Sequence, residues 1–166
     1  MQDTAQLERM FAEADEIGFR MELVGGIPTW ELSPSLYHGA TIDRIRATIL
    51  RGRLSQGCDC AHFADILSKF PDNSLKRPDI SVFCHRPELV RTALTVTPDA
   101  VIEIISEDYE QKNWEVSVPF YLAQKIKDVV VFDPETNLVA HFQDGKRKDY
   151  PSPIALVFVC GCTCTV

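Results

Sequence analysis

Two segments near the amino terminus carry apolar residues at helical spacing. The first predicts an amphipathic helix over residues 4–17, and the second predicts a helix over residues 36–51 that ends at Gly52. The apolar stripe of the second helix consists of His38, Ile42, Ile45 and Ile49. Because the stripe begins in the first helical turn, we expect the imidazole of His38 to face the interior.

The other apolar segments have the character of strands. Residues 19–24 and 28–32 flank Gly25-Gly26, a pair that tolerates the backbone of a tight turn, and so predict a hairpin. Three later runs are apolar almost without interruption, which is typical of strands covered on both faces: residues 79–83, 100–105 and 128–132. Together with a crossover helix that begins near Ser117, they predict an α/β protein whose central sheet is flanked by helices. We expect residues 1–166 to form one domain.

Composition narrows the class of protein but does not indicate an activity. Hydrophobic residues make up 45% of the chain and charged residues 25%, as in globular proteins. No apolar run approaches the roughly 20 residues that a membrane span needs, and the first helix is acidic where a signal peptide would be apolar. We therefore expect a cytoplasmic protein. With 17 basic against 24 acidic residues and a net charge of −7, any contact with nucleic acid is expected to be local.

Glu103 is the residue that the strand pattern explains least. It shares one face of its strand with Val101 and Ile105, where an unpaired charge would be costly. A buried ion pair or a solvated strand end would each account for it, but Asp79 favours another explanation. Asp79 opens a neighbouring strand directly after Pro78, which keeps the backbone extended. Two carboxylates at adjacent strand ends suit Mg²⁺ or Mn²⁺, ions that activate water and bind a phosphodiester oxygen.

The six cysteines form a second candidate donor set. Two trios alternate along extended stretches, so that each trio would face one way: Cys58, Cys60 and His62, then Cys160, Cys162 and Cys164. Thiolate and imidazole groups are ligands that zinc selects, so one hypothesis is a structural Zn²⁺ site, and the other is packing as small apolar side chains. Without a secretion signal, we expect reduced thiols or metal ligands rather than a disulfide framework.

The order of several segments resembles a known family. KRPDISVF, PDAVIEIISEDYEQK and PFYLAQKIKDVVVFDPETN follow one another, after MELVGG and SPSLYH. This succession, which covers most of the chain, resembles the Uma-two family of restriction-endonuclease-like proteins in the PD-(D/E)XK nuclease superfamily. The resemblance implies a restriction-endonuclease-like core with a central mixed β-sheet flanked by helices. It also implies a divalent-metal-dependent endonuclease acting on DNA, and a homodimer is expected by analogy with nuclease folds of this size.

The resemblance assigns roles to four of these residues. Asp79 and Glu103 match the motif carboxylates, which would bind the metal and serve catalysis. Glu22 matches a further acid near the amino terminus, a third candidate metal ligand, and His38 matches a histidine that would assist catalysis.

The motif lysine is missing from both of its expected positions. Ile105 stands two residues after Glu103, and Ser117 occupies the helix position at which many relatives carry lysine. Lys112 is the remaining candidate for orienting the attacking water, with a solvated surface lysine as the alternative. These departures leave a second function open: a nuclease-fold protein that no longer cuts and acts as a binding or regulatory module, with structural zinc at the cysteines.

Overall fold

A computed structural model describes residues 4–53, 57–107 and 109–166. The helices are α1 (Thr4–Glu16), α2 (Leu36–Arg46), α3 (Glu110–Lys112) and α4 (Val118–Ala123), with a π-helical segment, Asn113–Ser117, between α3 and α4. The strands are β1 (Phe19–Val24), β2 (Ile27–Leu32), β3 (Leu50–Arg51), β4 (Ala61–Ala64), β5 (Ser68–Lys69), β6 (Leu75–Lys76), β7 (Ile80–Phe83), β8 (Ala100–Ile104), β9 (Asp128–Asp133), β10 (Leu138–Gln143), β11 (Lys146–Pro151), β12 (Ala155–Val157) and β13 (Cys162–Thr165). None of the described helices is long and apolar enough to cross a membrane.

A mixed sheet in the order β11-β10-β9-β8-β7-β4 forms the centre of the fold. β8 and β9 are parallel, and the other neighbouring strands are antiparallel. The chain crosses from β8 to β9 through α3, the π-helical segment and α4, because parallel strands need a long connection. The α/β class with a central mixed sheet is confirmed. Two smaller sheets, β2-β1-β6-β5 and β12-β13-β3, complete the described strands.

Each face of the central sheet carries its own apolar core. Ala100, Ile102 and Ile104 of β8 pack with α2 and the carboxyl-terminal strands. Val101 and Ile105 pack on the opposite face, beneath α4. This alternation is the one predicted for the strand. Each aliphatic side chain fully buried in this way contributes about 1.5–3 kcal/mol, so both faces resist a shift in strand register.

The predicted hairpin and first helix are confirmed, but the predicted end of the second helix is wrong. α2 ends at Arg46, and Leu50–Arg51 instead forms β3 and pairs with β13. At Gly52 the chain passes close to the turn that precedes β13. A Cβ on residue 52 would lie 2.2 Å from the carbonyl oxygen of Gly161 in that turn. Strand pairing with a distant segment therefore overrides the local helical periodicity, and glycine at position 52 permits the close approach.

The predicted start of the crossover helix, near Ser117, is also wrong. Helical backbone begins at Glu110, and the hydroxyl of Ser117 caps nothing. Pro119 falls in the first turn of α4, where a missing N–H does no harm. The π-helical segment before it widens the helix, a distortion that is common near functional sites.

Candidate active site

Strand pairing brings the two predicted motif carboxylates together. Ile80 of β7 pairs with Ile102 of β8. Extending this antiparallel register by one residue sets Asp79 opposite Glu103, on the face beneath α4. Both line a pocket of about 620 Å³. The same pocket is lined by the other predicted site residues, Glu22, His38 and Lys112.

Glu103 lies deep in this pocket, with 6% of its surface exposed. The hydroxyl of Tyr121, a fully buried residue of α4, donates a hydrogen bond to its Oε1. Burial and the nearby charge of Asp79 raise the pKa of Glu103 well above its usual range. Burial also raises the pKa of Tyr121, so its hydroxyl keeps its proton. A cation between the carboxylates of Asp79 and Glu103 would offset their repulsion.

Asp79 is oriented from two sides. Its Oδ2 accepts a hydrogen bond of 2.7 Å from the backbone N–H of Ile104, and its Oδ1 accepts one of 2.9 Å from Nε2 of His38. The other ring nitrogen of His38 lies 3.1 Å from Oγ of Ser106. Burial disfavours protonation of the imidazole, but the hydrogen bond and charge of Asp79 prevail and raise the pKa of His38. His38 thus acts on the pocket by holding the carboxylate of Asp79.

Lys76 is the pocket residue that sequence reasoning missed. Leu23 of β1 pairs with Leu75 of β6, which sets Glu22 opposite Lys76. The ammonium of Lys76 donates to Glu22 Oε2 at 2.9 Å and to Ser117 Oγ at 2.9 Å, and only 1% of the residue is exposed. It also lies 5.4 Å from the centre of the Tyr121 ring. Lys76 therefore brings a positive charge to Ser117, the position where the family resemblance leads one to expect lysine.

Only one signal could have pointed to Lys76. It precedes Asp79 by three residues within the segment KRPD, where one lysine among neighbouring polar residues resembles an ordinary surface cation. The two-residue strand β6 is too short to show a period of two that would distinguish a buried from an exposed position.

Glu22 and Lys112 form an ion pair at the wall of the pocket. Nζ of Lys112 lies 2.7 Å from Oε2 of Glu22 and also contacts Glu31. Oε1 of Glu22 accepts a hydrogen bond of 2.8 Å from the backbone N–H of Arg77. Burial alone would raise the pKa of Glu22, but the charges of Lys76 and Lys112 outweigh burial and lower the pKa to about 2. Glu22 is therefore an ionised anchor for two lysines.

A larger depression of about 1150 Å³ lies between α1 and the segment 87–95. Its lining contains none of the five predicted site residues and combines leucines with charged side chains. Convergent polar groups mark a functional pocket better than volume does, so the smaller pocket is the candidate active site.

The cysteines depart from the predicted pattern. Cys60 and Cys162 form a disulfide bond, so the expectation of reduced thiols is wrong for this pair. Cys60 has a φ of 48°, which breaks the extended backbone that would have aligned it with His62. His62 instead accepts a hydrogen bond of 3.3 Å from Nε of Arg46. Cys164 packs in the same apolar core as Cys162, but the group of sulfurs within 4.8 Å of one another contains Cys160 and Cys162 without Cys164.

The mixed sheet flanked by helices, with carboxylates at two adjacent strand ends, matches the expected restriction-endonuclease-like core. The chain belongs to the Uma2 family, described as "Putative restriction endonuclease", whose model matches residues 3–158. It is also similar to the crystal structure of "a putative nuclease belonging to DUF820" from Anabaena variabilis ATCC 29413, with a TM-score of 0.64 and 22% identity over 84% of this chain and 81% of that one. At this identity the similarity shows the fold. No curated protein sequence matches the chain.

Proposed function

We propose that the protein is a divalent-metal-dependent endonuclease that hydrolyses DNA phosphodiester bonds. One observation carries this proposal: Asp79 and Glu103 occupy opposed positions on adjacent strands in one pocket. Their carboxylate oxygens fit the preference of Mg²⁺ and Mn²⁺ for hard donors. When bound, such an ion would activate a water molecule and polarise a phosphodiester oxygen. Asp79 and Glu103 would hold it.

Two neighbours keep these carboxylates in place. His38 orients Asp79 through its 2.9 Å hydrogen bond, and Tyr121 orients Glu103 through its hydroxyl. Glu22, the third candidate ligand, already accepts hydrogen bonds or ion pairs from Lys76, Lys112 and the Arg77 backbone. Direct coordination by Glu22 would compete with two ammonium groups. We therefore propose that Glu22 adds negative charge beside the metal and holds both lysines.

Two lysines supply the positive charge that phosphodiester cleavage requires. Lys112 has 14% of its side chain exposed at the pocket, so it can meet a substrate phosphate or the attacking water. Lys76 is buried beneath it and is held by Ser117. We assign the orientation of the attacking water to Lys112 and the support of the pocket's charge balance to Lys76. Because the chain is acidic overall, contacts with DNA are expected to be confined to this pocket and its rim.

The test is nicking of supercoiled plasmid in Mg²⁺ or Mn²⁺. We expect the wild-type protein to nick the plasmid and Asp79→Asn to lose about 10³-fold in rate, because an ion of this kind contributes several kcal/mol to catalysis. Glu88→Gln is the matched control, since Glu88 is exposed and lies outside the pocket. Nicking that survives Asp79→Asn would contradict the proposal.

The same assay separates the two lysines. We expect Lys112→Met to lower the nicking rate by on the order of 10²–10³-fold, the usual effect of removing a group that stabilises developing charge. Lys125→Met is the control, because Lys125 follows α4 and does not line the pocket. A Lys112→Met protein that nicks like the wild type would move the assignment to Lys76.

The second candidate function is a binding or regulatory protein that no longer cuts. Ile105 and Ser117, which stand where lysine is expected, favour it. The proximity of Lys76 to Ser117 weakens that argument, because the missing charge is present on another strand. A protein of this kind would shift labelled DNA in a gel and leave it intact in every divalent cation. Pairing into a homodimer is a separate prediction, which light scattering tests.

A further inference from the structure

Sulfur atoms from two distant segments converge near the carboxyl-terminal end of β7, the end opposite to Asp79. Sγ of Cys58 lies 3.5 Å from Sγ of Cys60 and 3.5 Å from Sγ of Cys162. The sulfurs of Cys58, Cys160 and Cys162 lie within 4.8 Å of one another, and Cys60 is bonded to Cys162. In a tetrahedral zinc site, Zn–S bonds of about 2.3 Å set the sulfurs about 3.8 Å apart. The sulfurs of Cys58, Cys160 and Cys162 are therefore already near zinc-binding spacing, and Sγ of Cys60 lies next to Sγ of Cys58.

The backbone on both sides holds the cluster in place. The loop that carries Cys58 and Cys60 is tied to the residue that follows β7, because the N–H of Asp59 donates to the carbonyl of Cys84. The turn that carries Cys160 and Cys162 is tied to β9 by the N–H of Val159, which donates to the buried carboxylate of Asp128 at 2.7 Å. Ligand positions fixed by surrounding hydrogen bonds are typical of built metal sites.

The surroundings of the sulfurs suit a closed structural site. Sγ of Cys160 accepts a hydrogen bond from the backbone N–H of Cys162, which partly offsets the rise in the pKa of Cys160 that burial causes. Cys58, Cys60 and Cys162 are buried, whereas Cys160 is partly exposed and leaves a route for an ion. Two of the expected ligands lie outside this group: His62 is hydrogen-bonded to Arg46, and Cys164 is not among the converging sulfurs. The donor set is therefore sulfur alone.

We propose that Cys58, Cys60, Cys160 and Cys162 form a second metal site that binds one Zn²⁺ ion when the Cys60–Cys162 disulfide is reduced. Two molecules of an external thiol reduce the bond, giving two cysteine thiols and one external disulfide. Zn²⁺ then replaces the protons of the four thiols. This site is independent of the proposed nuclease activity, because soft thiolates select zinc while the carboxylates of the pocket select Mg²⁺ or Mn²⁺.

An isolated disulfide and a four-thiolate zinc site predict different effects of replacing Cys58 or Cys160. A disulfide involves only Cys60 and Cys162, so substitution of Cys58 would leave it intact. A four-thiolate site loses a ligand when any of the four cysteines is replaced. Cys58→Ser therefore discriminates between the two, and Cys164→Ser is the matched control because Cys164 is as buried as Cys58 but does not belong to the group of converging sulfurs.

The experiment measures zinc in the full chain after purification with a thiol reductant, incubation with Zn²⁺ and desalting. We expect about one zinc per wild-type and Cys164→Ser chain by elemental mass spectrometry. In Cys58→Ser we expect zinc affinity to fall by more than the roughly 10–100-fold that is lost when a hydrogen-bond partner of a metal ligand is removed. Cobalt substitution provides a second readout, since tetrahedral thiolate ligation gives a charge-transfer band and intense visible bands that should disappear in Cys58→Ser.

Two results would overturn the proposal. One is reduced wild-type protein that retains no zinc, and the other is a Cys58→Ser protein that keeps both its zinc and the thiolate spectrum of cobalt. Circular dichroism establishes that each variant is folded. If Cys58→Ser does not fold, Cys160→Ser replaces it, because Cys160 is partly exposed and its substitution disturbs the core less.

Discussion

The two ends of β7 hold two groups of metal-capable side chains that differ in chemistry. Asp79 precedes the strand and lines an open pocket with carboxylates and lysines, whereas Cys84 follows it and adjoins the buried cysteine cluster. Five residue-to-residue steps of extended chain lead from Asp79 to Cys84, roughly 16 Å. Hard oxygen donors beside a solvent-accessible pocket suit a metal that meets a substrate, while soft sulfur donors in the interior suit a structural ion. One rigid strand can thus support both.

The largest expected effect comes from Glu103→Gln, which tests whether the two ends are independent. We expect plasmid nicking in Mg²⁺ to fall by about 10³-fold or more, because the carboxylate opposite Asp79 is lost. Zinc content should be unchanged, since the cysteine cluster lies beyond the other end of β7. Rate and zinc content are measured on one preparation, with Glu88→Gln as control. A loss of zinc together with activity would show that the two regions act as one.

Lys76→Met tests the charge balance at the carboxylate end. We expect the free energy of unfolding to fall by about 3 kcal/mol, because the buried carboxylate of Glu22 loses one of its two ammonium partners. Nicking should fall by on the order of 10²-fold. Urea unfolding and the plasmid assay measure the two effects. The exposed Lys69 on β5 provides the control, Lys69→Met, and an equal response of both variants would refute a specific role for Lys76.

Exchange of two side chains sharpens this test. The variant Lys76→Ser/Ser117→Lys returns the ammonium to the helix position where related proteins are expected to carry it. We expect nicking to recover to within about tenfold of the wild-type rate, because the charge occupies nearly the same place. Lys76→Ser alone serves as the comparison. No recovery in a folded double variant would mean that the backbone position of the lysine matters more than its charge.

Gly52→Ala gives the smallest expected effect and acts on the cysteine end. A Cβ would meet the carbonyl oxygen of Gly161 at 2.2 Å, so the hairpin between Cys160 and Cys162 must shift. We expect a loss of about 2 kcal/mol in stability and weaker zinc binding, with Mn²⁺ binding at the pocket unchanged. Gly39→Ala is the control: its Cβ meets open space within α2, and we expect a gain of about 0.5–1 kcal/mol. Similar losses in both variants would rule out the proposed clash. Urea unfolding and calorimetric titration are the measurements.

Features that depend on local periodicity could be predicted from the sequence. The alternation around Glu103 predicted which side chains of β8 share a face, and the position of Asp79 after Pro78 predicted a carboxylate at the adjoining strand end. The buried stripe of α2 likewise placed His38 in the interior. These predictions succeed because burial repeats with the period of a strand or a helix, and that period is visible within a few residues.

Contacts between segments that are far apart in the chain became visible only in the folded structure. Lys76 and Ser117 meet across 41 residues, and Cys60 and Cys162 across 102, at separations for which no local pattern exists. The prediction that the second helix extends to residue 51 failed for the same reason, because β3 forms by pairing with the distant strand β13. At Cys60 a single residue with positive φ removed His62 from the expected ligand set. One backbone torsion reverses the face that a side chain occupies, and its value is set by packing rather than by composition.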